Sequence, residues 1–176
     1  MPTADRVRIT EAYRDYAPSR NIHSSVRKLL DTVPEKFLVG LDCVVLTNMA
    51  GQPRRKRLGK VTRRGRRIPQ SRVVGYYHQA WNGSPAWIEL FIDQILKGGG
   101  NYPLWVPLFR EVLLGHVLFH ELGHHIHVVA RPEHREKEDV ADDWGTRLNN
   151  NFLRKKYWYL IPIAKILRLF RKTKRS

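Results

Sequence analysis

Scarcity is the first information in this 176-residue sequence. Cys43 is its single cysteine, so an intramolecular disulfide and a multi-cysteine zinc knuckle are both excluded, and nothing demands an oxidising compartment. Acids are short as well: 16 Asp and Glu face 32 Lys and Arg, a formal charge of +16. Residues 1–15 carry Asp5, Arg6, Arg8, Glu11, Arg14 and Asp15 and lack the apolar run of a signal peptide, so the expected location is cytoplasmic. The most hydrophobic stretch, residues 112–130, approaches the roughly 20 residues that span a bilayer. Glu121 and five histidines lie inside it, and hydrocarbon would penalise them, so it reads as a buried core helix.

What is present suffices for a fold. Hydrophobic residues make up 42% of the chain, enough for a core in one domain of this length. No repeat divides it. The expected organisation is a domain over residues 1–150, interrupted by a basic loop at 52–72, and a basic amphipathic segment over 151–176. Charge is laid out in blocks. Nine cations fall in residues 54–67 (Arg54, Arg55, Lys56, Arg57, Lys60, Arg63, Arg64, Arg66 and Arg67), and nine more in 154–175, from Arg154 to Arg175. Eight of the sixteen acids fall in residues 111–143. The chemistry is therefore sought in that acidic, histidine-rich segment.

Residues 9–16 and 22–30 read as short helices, the second capped by Asn21 with Pro34 beyond its end. Residues 36–47 read as a strand. Residues 73–79 and 86–92 read as two more, joined by Asn82-Gly83-Ser84-Pro85 as a hairpin. Gly98-Gly99-Gly100 lacks the Gly-Lys-Ser/Thr ending of a phosphate loop and reads as a connector. Helices are expected from about 104 or 107 to 129, over 133–149, and over 152–170 with a kink at Pro162. The order gives an α+β fold, a small antiparallel-containing sheet against a central helix and its successor.

His120-Glu121-Leu122-Gly123-His124 is an HExxH motif. Given the composition, a chance match has a probability of roughly 0.02, the false-positive risk of a short pattern. On a helix the two histidines lie about 40° apart and one turn along, so both imidazoles can meet one Zn²⁺. Glu121 lies about 100° round from His120, placed to reach a water activated by the metal without being a ligand. Apolar residues surround the helix on all sides, which marks it as central. Gly115 and Gly123 within it imply close approach by another element. A third ligand is required. Glu138 is the first choice, with Asp142, Asp139, His134, Glu136 and Asp143 as alternatives. Asp142, at i+4 from Glu138, is expected to orient a zinc-bound imidazole.

The run from His120 to His125, followed by Glu138-Asp139-Val140-Ala141-Asp142, resembles the gluzincin metallopeptidase pattern HExxH…ExxxD. It is similar to minimal zincin-like domains of the ImmA/IrrE and SprT-like kind. The resemblance implies a zinc peptidase with His120, His124 and Glu138 as metal ligands and Glu121 as the catalytic general base. It also implies an active-site edge strand that holds an extended peptide or protein substrate, a role that falls on residues 86–92. Tyr76, Tyr77, His78, His127 and His134 are candidates to stabilise the oxyanion. The metzincin continuation is missing, because Val128 and Val129 follow His127.

The basic blocks suggest partners beyond a peptide. Residues 54–67 hold no acid and no aromatic, so contact with nucleic acid would be to the backbone, non-specific and salt-sensitive. Residues 154–176 interleave cations with Tyr157, Trp158, Tyr159, Ile163, Leu167 and Phe170, a composition suited to an anionic membrane surface. A non-catalytic binding protein with a structural zinc is the alternative to the peptidase.

Overall fold

The structure, a computed structural model, describes residues 7–18, 21–52, 60–63, 66–69, 73–100, 103–130 and 138–160. The chain forms β1 (Arg8–Ala12), α1 (Ile22–Leu30), β2 (Leu41–Thr47), a short pair β3 (Lys60–Arg63) and β4 (Arg66–Pro69), then β5 (Gly75–His78) and β6 (Ala86–Phe91). Three helices follow: α2 (Ile92–Gly98), α3 (Pro107–Ala130) and α4 (Glu138–Lys156). A four-stranded mixed sheet has the order β1-β2-β6-β5, with β1, β2 and β6 parallel and β5 antiparallel to β6. The fold is α+β, this sheet packing on α3 with α4 behind it, as the order of elements in the sequence implies.

Local chemistry explains most of these elements. Asn21 caps α1, its side-chain oxygen accepting from the Ser24 amide at 3.0 Å. Asn82 and Gly83, with φ of 50° and 80°, supply the two left-handed residues that a tight hairpin requires between β5 and β6. Val44 and Leu46 of β2 and Ile88 and Leu90 of β6 are fully buried, and they share one core with Leu114, Leu118 and Leu122 of α3. Met49, Val73 and Phe91 form a smaller cluster apart from it.

Helices α3 and α4 run antiparallel with their backbones almost touching. A Cβ on Gly123 would stand 2.5 Å from the Ala141 carbonyl oxygen, and one on Gly145 would stand 3.2 Å from the His120 Cα. Gly115 faces Asn149 in the same register. At the far end of the pair Glu111, fully buried, accepts two hydrogen bonds from Lys156 Nζ at 2.6 Å and one from the Tyr157 hydroxyl at 2.6 Å. Burial first, and that bond second, push the Tyr157 pKa up.

Several expectations need correction. Residues 9–16 are not a helix: β1 occupies Arg8–Ala12 and pairs in parallel with β2, Ile9 opposite Val44 and Thr10 opposite Val45. Four of its five residues are exposed, so there is no apolar stripe for a helix to bury, whereas β2 offers backbone partners. The basic stretch is not wholly loop, because β3 and β4 pair within it; residues 53–59, 64–65 and 70–72 and the side chains of 60–68 lie outside the described residues. A short helix, α2, runs into the glycine stretch, Gly98 being its last residue and Gly99 its C-cap. The helix expected over 133–149 is α4 where the residues are described, from Glu138, and it runs on without a break through Asn150 to Lys156, sending Phe152 into the core, so the start expected at 152 for a separate helix is not seen. Residues 131–137 and 161–176, with Pro162, lie outside the described residues. Among those described, no helix is long and apolar enough to cross a membrane.

Candidate metal centre

His120 and His124 sit one turn apart on α3, and their Nε2 atoms are 3.2 Å from each other. Glu138 stands in the first turn of α4, its Oε2 3.5 Å from His120 Nε2. Donor atoms of the three residues all lie within 4.8 Å of one another, a group that could hold a metal ion. Tetrahedral bonding at about 2.05 Å separates two nitrogens by about 3.3 Å, so the observed spacing fits one small cation. The glycine contacts explain how two consecutive helices pack so closely here: Gly123 and Gly145 let the α4 backbone settle onto α3 beside His120 and His124.

Asp142, one turn beyond Glu138, places Oδ1 2.9 Å from His120 Nδ1. An N–H donated there leaves the Nε2 lone pair of the same ring facing His124 and Glu138. Glu121 is 3% exposed and lies against β5: a Cβ on Gly75 would be 2.9 Å from its Cγ and 3.0 Å from its Oε1. The edge strand over Glu121 is therefore β5. Residues 86–92, expected in that role, form β6 (Ala86–Phe91) and the first residue of α2, and β6 is paired on both sides, by β2 and β5. Apolar runs reveal strands but not their order across a sheet. Gly75 is the residue sequence reasoning passed over, although a glycine inside a strand pattern is a recognised signal of close backbone approach.

The other candidates are dispersed. Tyr76 and His78 face away from α3; the His78 ring stacks on Trp87 at 3.7 Å, and its Nε2 is 3.3 Å from Glu89 Oε2. Tyr77 faces α3, but its hydroxyl is 3.2 Å from His125 Nδ1, while His125 Nε2 lies 3.0 Å from the Val39 carbonyl oxygen. With Nε2–H donating to Val39 and Nδ1 accepting from Tyr77, His125 is a neutral brace, and burial lowers its pKa accordingly. His127 is buried but outside the metal group, and Asp139 and Asp143 are exposed and also outside it. His134 and Glu136 lie outside the described residues. No protein-family model, curated protein or solved structure matches the chain.

Proposed function

We propose that the protein is a zinc-dependent peptidase of the gluzincin kind. One observation carries the reading: a His-His-Glu donor group that could hold a metal ion, on the same helix as the buried Glu121 that lies under β5. Two imidazoles and a carboxylate form a donor set characteristic of catalytic zinc, in which a fourth position serves solvent or substrate. Zinc bound there supplies a Lewis acid and a water whose pKa falls to about 7. The Glu121 carboxylate takes a proton from the attacking water and returns it to the leaving amine. Backbone groups on the outer edge of β5 receive an extended peptide as an added strand, which lays its scissile bond along α3. Asp142 fixes the tautomer of His120.

The test compares wild type with Glu121→Gln, measuring zinc content by elemental analysis and cleavage of an unfolded-protein mixture. Both forms should carry one zinc per chain. Cleavage should fall by about 10²- to 10⁴-fold in the variant, and in wild type it should vanish with a chelator and return with zinc. Stoichiometric zinc without cleavage of any component would make the metal a staple between α3 and α4 and end the peptidase reading.

A further inference from the structure

The antiparallel pairing of α3 and α4 gives the pair two ends. His120, His124 and Glu138 occupy one; Glu111, held by Lys156 and Tyr157, closes the other. Nine residues separate Glu111 from His120, about 14 Å of helix. Three aromatic side chains stand in solvent at the closed end: Trp105 at 69% exposure, Trp158 at 67% and Tyr159 at 51%. Trp105 belongs there because the Leu104 carbonyl accepts from Arg110 at 3.3 Å, folding the approach to α3 back on its first turn. Trp158 and Tyr159 belong there because they follow Tyr157, which is bonded to Glu111.

Charge accompanies the aromatics. Arg154 and Lys155 are exposed in the last turn of α4, Lys155 also donating to the Thr32 carbonyl at 3.2 Å. The Glu111 charge is answered inside the protein by Lys156 and does not offset them. Beyond Leu160 the sequence continues for sixteen residues that include six cations, no acid, and Ile161, Ile163, Ile166, Leu167, Leu169 and Phe170.

We propose that this end of the molecule docks on a bilayer surface containing anionic lipid. Trp105, Trp158 and Tyr159 settle at headgroup level, and Arg154 and Lys155 meet lipid phosphate and carboxylate groups. The composition beyond Leu160, aliphatic residues interleaved with cations and no acid, favours lipid over nucleic acid, which offers an aliphatic side chain no apolar phase. Nothing in this inference depends on the peptidase reading.

Full-length protein is sedimented with vesicles of phosphatidylcholine, with and without phosphatidylserine, at low and high salt. Arg154→Gln/Lys155→Gln and Trp105→Ala/Trp158→Ala run beside it, each first shown to keep the zinc content and melting temperature of wild type. Binding should require phosphatidylserine and weaken with salt. Each neutralised cation should lower partitioning about fivefold, and the tryptophan pair should abolish most of the bound fraction. Brominated lipid should quench wild-type fluorescence more than that of Trp105→Phe/Trp158→Phe. Absence of vesicle binding, as when residues 161–176 fold back over this end, overturns the proposal. So does binding indifferent to all these substitutions, or the same residues proving necessary for nucleic acid while vesicles are ignored.

Discussion

His120 is addressed from two sides. Asp142 takes Nδ1 at 2.9 Å, while Nε2 faces His124 and Glu138. Replacing Asp142 with Asn keeps the shape but removes the charge that holds the ring and makes it a stronger donor. Zinc affinity is expected to fall about 10- to 100-fold, read by competition with a chromophoric chelator, and excess zinc should restore whatever activity is lost. Unchanged affinity would make Asp142 a bystander. The partners of His120 were legible in the sequence because spacings of four on a helix fix a common face, for His120 with His124 and for Glu138 with Asp142. The role of Gly75 was not, because it arises from the meeting of a strand with a helix more than forty residues further on, which no local pattern encodes.

Two glycines make opposite demands on the elements they join. Gly123 touches backbone, since an added Cβ would lie 2.5 Å from the Ala141 oxygen and 2.8 Å from its Cα. Gly123→Ala should part α3 from α4, costing about 1–3 kcal/mol in urea unfolding and weakening zinc binding, because Glu138 moves with α4. At Gly75 the added Cβ would meet side chains, Val117 Cγ1 at 2.7 Å and Glu121 Cγ at 2.9 Å. Gly75→Ala should leave zinc stoichiometry intact while lowering cleavage, the pattern expected of a displaced Glu121. At this scale the sequence was a fair guide to α1, the β5–β6 hairpin and α3, each with a cap, a turn or a continuous apolar pattern, but it began β2 five residues early, since Glu35–Phe37 form a 3-10 turn and the strand starts at Leu41. It misled at β1, where a parallel partner supplied from residues 41–47 overrides local character, and at the end of α4, where Phe152 and Tyr157 find burial against the rest of the fold.

At the scale of the whole molecule, one carboxylate among the described residues is kept entirely out of water. Glu111 is at 0% exposure, and its three hydrogen bonds tie the start of α3 to the end of α4. Tyr157→Phe should cost about 1.5 kcal/mol at neutral pH, since one bond to a charged acceptor is lost while Lys156 retains two. The tyrosine's pKa is raised above its ordinary value of 10, so its contribution is complete below about pH 10 and fades as pH rises through the higher folded value. Melts of both forms across alkaline pH should converge, the variant lacking that part of the decline; a constant gap would place the effect elsewhere.

The sheet has two rims, and they are not equivalent. β5 overlies Glu121, whereas β1 stands three strands away, roughly 14 Å at the usual spacing. A sister copy joining at β1 would widen the sheet on the side away from Glu121, while anything that joins at β5 would extend the strand that covers it. Self-association would therefore crowd Glu121 along one rim and leave it untouched along the other.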